Sequence, residues 1–461
     1  MTIKLHCLDT LIYPQNEYQY LKNGEKMQFG PYVEHIFGER VQEMYRSHNG
    51  WMTCSIHHSI PWPRKDVLIK YDNQDYFLRG IAEREDFSSP CISVYISAEQ
   101  TIHELKEKLY KFTSILGWFQ NGYVDITGFS QSGGYPILSE NGRAMFIPTV
   151  IGGDATFNCN YMPVLANGNE QIALAFYREG LKLQHIHEGY AFLSFFKVLE
   201  SQLRSPERVE WINASLNELE DRSLRRYEEL IEEGIEDVGR HIYNSGRCAI
   251  AHASLNGEYI NPDIPEDKER ISKDLVLIHF LAKKFIKQKL QIADSLDVYK
   301  YRNNLFPLEQ YIDSYYLNLL KEGGRIEISF FNLELDISLS HWPHGVIPEL
   351  AVMKLKLFSM SNGKIIIHVW DEENTLRIRF DLDFTEGKIY ASLEIGTIPN
   401  ENQLTLLKYQ RILLSNGTIE IIFPCGNLLT CESFMPVNIH PDALMEVDRL
   451  INQLEESLCL I

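Results

Sequence analysis

Arg247 and His252, with four residues between them in the run RCAIAH, are a pair of groups suited to phosphoryl transfer. An imidazole titrates near neutrality and can take the proton of a ribose 2′-hydroxyl. A guanidinium can hold the charge that builds on the phosphoryl oxygens as that hydroxyl attacks. The spacing alone is a weak signal, so its weight depends on the elements that carry it. Five residues along a straight α-helix turn through about 500°, which points the two side chains about 140° apart. They share a site only if the helix begins or kinks near Gly246, or if a two-fold partner completes the cleft. Asn244 and Ser245 either line that cleft or cap a helix. Glu200 either orients Arg247 or ends its own helix in solvent.

The surrounding region is helical by its periodicity. Ile172, Leu174, Phe176, Tyr177 and Leu181 mark one apolar face, and Tyr190, Leu193, Phe196, Val198 and Leu199 a second. A polar, acidic helix then runs from about Leu216 to Ile242 and is interrupted at Asn244-Ser245-Gly246. Pro265, followed by Glu266 and Asp267, opens another helix with an apolar stripe from Ile271 to Leu290.

The runs ALAFYREGL, YAFLSFFKVLE and IYNSGRCAIAHA together resemble the HEPN superfamily, in its ApeA-like and MauJ-like branch. The family signature is an Arg and a His separated by four to six residues. Arg247, Ile250 and His252 match it, whereas Cys248 replaces the polar residue usual after the Arg. The resemblance covers roughly residues 165–300. It implies a helical bundle that builds its cleft at a homodimer interface. It also implies a metal-independent endoribonuclease, leaving 2′,3′-cyclic phosphate and 5′-hydroxyl ends, that acts as a toxin or abortive-infection effector. His252 would be the general base, Arg247 would stabilise the transition state, and Asn244, Ser245, Cys248 and Glu200 would support them. The alternative is a non-catalytic HEPN module that dimerises and binds a nucleotide, RNA or a protein. A third reading makes the helices a mere connection between two β-rich recognition modules.

At 461 residues the chain is long enough for two or three domains. A net charge of −19 disfavours general polyanion binding, so an RNA substrate needs a local basic surface. Lys283, Lys284, Lys287 and Lys289 offer such a cluster, though a solvated helix face explains them better. Eight scattered cysteines without a CxxC pair argue against a disulfide framework and a zinc site. His185, His187 and Glu188 hint at a metal but lack a matching acidic set, so no metal and no cofactor is expected. His57-His58 and His341 with His344 read as loop residues, and Arg302-Asn303 as a linker or an RNA contact. The N-terminus has no secretory pattern and no apolar run approaches a membrane span, so a cytoplasmic protein without membrane contact is expected.

Both flanks look β-rich. In the first, Val67–Tyr71 and Tyr76–Gly80 suggest a hairpin, Ser93–Ser97 a strand, and Ile102 to Leu116 a helix. In the last, Asn362-Gly363 and Asn416-Gly417 signal hairpins, the second joining a strand at Ile412–Leu414 to one at Ile419–Phe423. Leu376 to Phe384 alternates strictly with charged residues, implying a sheet with one wet face that carries Arg377 and Arg379. A helix from about Pro441 closes the chain. The expected fold is α+β: a β-rich domain at 1–165, a HEPN-like helical domain at 166–305, and a β-sheet domain with a C-terminal helix at 306–461. The flanks would recognise a trigger or regulatory protein and admit RNA to the cleft.

Overall fold

The computed structural model describes residues 50–63, 66–80, 90–133, 162–165, 168–251, 263–309, 312–325, 334–342, 345–373, 376–393, 400–414, 418–422, 428–432 and 441–459, with Cys159, residues 259–261 and three short strands before residue 50. The chain is α+β, with helices between two antiparallel sheets. Strands β1 (Tyr18–Tyr20) and β2 (Lys26–Gln28) pair with each other. The first sheet holds β3 (His35–Phe37), β4 (Trp51–His58), β5 (Val67–Tyr71), β6 (Gln74–Leu78), β7 (Cys91–Tyr95) and β8 (Val124–Ser132), in the order β3-β5-β6-β7-β4-β8. The β5–β6 hairpin is tighter than its sequence suggests. Tyr71 pairs with Gln74, and Asp72 and Asn73 take the left-handed turn at φ 47° and 58°, as a two-residue hairpin requires.

Helix α1 (Ile102–Phe119) starts at a capping box made by Thr101 and Glu104 and stacks Phe112 on Tyr76 of the sheet. Its far end meets the helical region: Trp118 packs edge-on against Tyr177, 5.1 Å between centroids. Arg178 donates to the Tyr110 carbonyl and to the Thr113 and Ser114 hydroxyls. One apolar core therefore runs from Met52 in the sheet to Val298 in the helices. The helical elements are α2 (Gly168–Leu183), α3 (Glu188–Glu200), α4 (Ser205–Ser215), α5 (Asp221–Glu232), a composite helix α6 over Val238–Ala251, and α7 (Pro265–Gln288). The long helix expected from Leu216 to Ile242 is thus broken; Gly234, at φ 85°, turns the chain between α5 and α6.

A second core begins at Leu305. Past the short helices α8 (Ser295–Tyr301), α9 (Phe306–Glu309) and α10 (Ser314–Lys321) lies the second sheet. Its strands are β9 (Glu334–Trp342), β10 (Gly345–Val346), β11 (Met353–Ser361), β12 (Lys364–Trp370), β13 (Arg377–Asp383), β14 (Lys388–Leu393), β15 (Thr418–Ile422) and β16 (Leu428–Glu432). They run in the order β14-β13-β12-β11-β9-β15-β16, with β10 pairing β9. Asn362 and Gly363 make the β11–β12 turn, and β13 alternates between the core and the wetter face as far as Leu382, whereas Asp383, expected on the wet face, is buried. Two helices complete this part, α11 (Asn400–Leu414) and α12 (Pro441–Cys459).

Several expectations need correction. Ile412–Leu414 is the end of α11, not a strand, because Leu406, Tyr409 and Leu413 bury a helical stripe against the sheet. The Asn416-Gly417 turn lies outside the described residues. Lys284 is no solvated lysine: it is buried, donates to the Ser215 carbonyl and pairs with Glu218. Lys283 and Lys287 pair with the fully buried Asp294. Arg302 and Asn303 are neither linker surface nor RNA contacts. Both are buried at the junction of the two cores, where Asn303 donates to Glu309 and Arg302 offers its carbonyl to Lys388. On the wetter face of the second sheet Arg379 forks onto Asp381, and Arg377 lies against His368.

Two partly buried histidines make the fold acid-sensitive. Burial pushes His279, stacked on Phe195 and bonded to the Tyr177 hydroxyl, down to about 4, with Lys283 adding to the effect. Burial pushes His58 to about 4 as well, against its bond to the Ile60 carbonyl. The unfolded chain takes up these protons near pH 6.5, so between pH 6.5 and 4 it holds more of them than the fold. Stability should be intact above that window and fall on acidification, by up to about 1.4 kcal/mol per pH unit for each histidine. Urea midpoints at pH 7 and pH 5 check this; equal midpoints would contradict it.

Candidate functional site

The site is built on α6 and its neighbours. Asp237 caps the start of α6, accepting from the Arg240 N–H, and Asn213 of α4 bonds both Asp237 and the Gly239 N–H. After the α-helical turn Val238–His241 the chain widens into a π-helical segment, Ile242–Cys248, and returns to α geometry at Ala249–Ala251. The Ala249 N–H reaches back five residues to the Asn244 carbonyl. Such widened turns often mark functional positions. Here the widening spans Gly246 and ends at Cys248, one residue past Arg247. Asn244 and Ser245 sit inside this segment, not ahead of it, so neither caps a helix start.

Packing explains why the segment sits where it does. Helix α3 runs antiparallel to α6, with Phe192 against Gly246 and Phe196 against Tyr243. A Cβ on Gly246 would lie 2.3 Å from the Phe192 ring, so only glycine fits that contact. Side chains on helices lean toward the N-terminus of their own helix. Arg247 therefore leans back toward Tyr243, and Glu200 leans back toward Phe196, and the two meet. Arg247 Nε donates to Glu200 Oε1 at 2.9 Å. Arg208 Nη1, from α4, donates to the same oxygen at 2.6 Å while its guanidinium lies over Tyr243. Partial burial works against the charge on Arg247, but the Glu200 carboxylate and the Cys248 thiol hold its proton more tightly than water does.

Behind this surface a buried triad joins three helices. Asp274 of α7 is fully buried and accepts from Arg226 of α5 at 2.8 Å. It is also 3.0 Å from His241 Nε2, the residue just before the π-helical segment. Arg270 of α7 donates to the Ser245 carbonyl at 2.6 Å. The widened turn is thus tied to α7 on one side and to α3 and α4 on the other.

The sequence-based candidates are placed as follows. Arg247 and Glu200 are brought together. Cys248 is the half-buried last residue of the π-helical segment, Asn244 is exposed, and Ser245 binds Arg270 through its carbonyl. His252 lies outside the described residues. His185, His187 and Glu188 do not converge: His187 caps α3 by accepting the Tyr190 N–H, Glu188 accepts from Ser272, and His185 bonds Gln184. Among the described residues no three His, Cys, Asp or Glu side chains gather as metal ligands. His57 and His58 end β4, and His341 lies in β9, so these are strand residues and not loops. Arg208, Arg226, His241 and Asp274 were not singled out by sequence. Only the helical periods around them were legible, and nothing local pairs residues so distant in the chain.

Residues 173–287, about a quarter of the chain, match the family described as methylamine utilization protein MauJ. That stretch runs from α2 to α7 and carries Glu200, Arg208, Arg247 and Asp274. No curated protein and no solved structure matches the chain. Among the described residues no helix is long and apolar enough to cross a membrane.

Proposed function

We propose that the helical unit is a metal-independent endoribonuclease of the HEPN type. The observation that carries the reading is the anchoring of Arg247 on Glu200, in a π-helical turn five residues before His252. In this mechanism His252 takes the proton of a ribose 2′-hydroxyl. The 2′-oxygen attacks the adjacent phosphorus, the bond to the 5′-oxygen breaks, and that oxygen leaves as a hydroxyl with a proton from solvent. Arg247 holds the charge on the phosphoryl oxygens. Pre-orientation by Glu200 spares the long side chain an ordering cost in the transition state. The role of His252 rests on its spacing from Arg247 in the sequence.

A cleaving module of this kind acts as a toxin or abortive-infection effector, with the β-rich flanks answering to a trigger. Total RNA from cells induced for the wild type, run beside His252→Ala, tests the activity. The expected products carry 2′,3′-cyclic phosphate and 5′-hydroxyl ends, and EDTA leaves their yield unchanged. A second reading, a non-catalytic module binding RNA, a nucleotide or a protein, draws on the same ion pair, since a carboxylate clamp also serves architecture. Intact RNA in both lanes would favour it. The divergence of Arg247 and His252 on a helix also leads us to expect a homodimer through α6 and α7. Sedimentation at micromolar concentration should show twice the chain mass; a fully active monomer would contradict the shared cleft.

A further inference from the structure

We infer that the edge of β8 takes an added strand from a partner, an extended peptide that carries acidic residues. The inference does not draw on the ribonuclease reading. β8 ends the first sheet, and among the described residues it pairs with β4 alone. Residues 124–131 make no backbone hydrogen bond on their other side among those residues. In an antiparallel ladder every second residue turns its N–H and C=O outward, so this edge presents a row of donors and acceptors. Proteins commonly blunt such edges with lysine or proline. Here Thr127 forms a bulge, skipped between the pairs Ile126–Ile56 and Gly128–Ser55. Beyond it residues 128–131 pair regularly with β4 and carry no charge and no proline. The end strands of the second sheet, β14 and β16, lie beside each other instead.

The side chains along this edge select the occupant. Phe129 lies opposite Cys54, so it points to the face that α1 covers. It meets Tyr110 of α1 edge-on, 5.6 Å between centroids. Lys106 Nζ lies 5.0 Å from the Phe129 centroid, and the Arg178 guanidinium of α2 lies 5.7 Å from that of Tyr110. Arg178 and Lys182 also reach Asp125 near the start of β8. A strip of cations and aromatic rings therefore follows the edge from Lys106 to Lys182. Tyr110 is 42% exposed within it. Asp125 and Glu179 already act on Arg178, so Lys106, over a ring and with no ion pair among the described residues, carries the charge preference. A strand added to β8 places alternate side chains over the strip. An apolar group there meets Phe129 and Tyr110, and a neighbouring carboxylate meets Lys106. A second copy of this chain is the poorer occupant. It would bring its own Lys106, Arg178 and Lys182 to the same seam, cation facing cation.

The test selects peptides from a random dodecapeptide library displayed on phage, with the full-length protein as bait. Enriched sequences should set an acidic residue near an apolar one at alternating spacing and lack proline between them. The best of them, made with a fluorescein label, is titrated by anisotropy. N-methylation of its amides one at a time reads the ladder. Methyl groups at every second position should weaken binding by roughly 10-fold, and those between should change little. Lys106→Gln should weaken binding by roughly 2- to 5-fold and flatten its salt dependence. Neighbouring residues of β8 point their N–H groups to opposite sides, so one of Ser130→Pro and Gln131→Pro spares the β4 ladder. The variant that circular dichroism shows to be folded should lose the peptide. Four results would each overturn the inference: no enriched acidic peptide, a methyl scan without alternation, unchanged binding in Lys106→Gln, or full binding by a folded proline variant. RNA cleavage enters none of these readouts, so the ribonuclease proposal stands or falls separately.

Discussion

His252→Ala is expected to lower RNA cleavage by roughly 10²–10⁴-fold, the usual contribution of a positioned general base. Arg247→Ala is expected to cost roughly 10²–10³-fold through lost stabilisation of the phosphoryl charge. The two act on one transition state, so the double variant should be little worse than the more severe single. Arg247→Ala leaves Glu200 with Arg208, so it does not strand a buried carboxylate and the fold should survive. Arg247→Lys should not rescue. A lysine offers a point charge where the site holds a guanidinium by its Nε, and the fork is lost. Toxicity on induction should vanish in parallel with cleavage. Cleavage by both single variants at the wild-type rate, or its loss on chelation of divalent cations, would end the metal-free Arg–His mechanism.

The largest expected effect on stability is at Asp274. Its carboxylate is fully buried and answers both Arg226, itself 5% exposed, and His241. Asp274→Ala removes the charge that balances a buried guanidinium. Glu229 and Glu233 also contact Arg226 but are themselves 41% and 53% exposed, so solvent screens them. The expected loss is about 3–5 kcal/mol, the range for breaking one side of a buried pair. Because His241 borders the π-helical segment, the loss should also loosen the turn that holds Arg247. Arg226→Met combined with Asp274→Leu should recover most of the stability, since apolar groups of similar volume tolerate the same space. Urea denaturation of the single and double variants checks both statements. A single variant as stable as the wild type would show that the triad carries no net energy.

Much of this architecture is legible in the chain. Helical periods mark α2, α3 and α7, Pro265 sits at the start of its helix, and Asn362-Gly363 turns its hairpin, because these signals lie in adjacent residues and act through local backbone geometry. The alternation of β13 announces a buried and a wet face for the same reason, although Asp383 at its end is buried and paired with Lys364. Short apolar runs are a different matter. Ile412–Leu414 fits a strand or a helix equally well by itself, and burial of Leu406 and Tyr409 on the same stripe decides for the helix.

At the candidate site the division is sharper. The residue types Arg247 and His252 and their spacing are properties of the sequence, as is a glycine between helical runs. The π-helical turn is not. It depends on Phe192 filling the space above Gly246, and on His241 and the Ser245 carbonyl being held by Asp274 and Arg270 of another helix. The meeting of Arg247 with Glu200 and Arg208 likewise joins three helices, across 47 residues in one case and 8 in the other. Local propensity acts over a few residues, whereas a shared carboxylate is a product of packing. The pair of groups able to do chemistry is therefore written in the chain, while the orientation of Arg247 and the second arginine exist only once the helices have closed on one another.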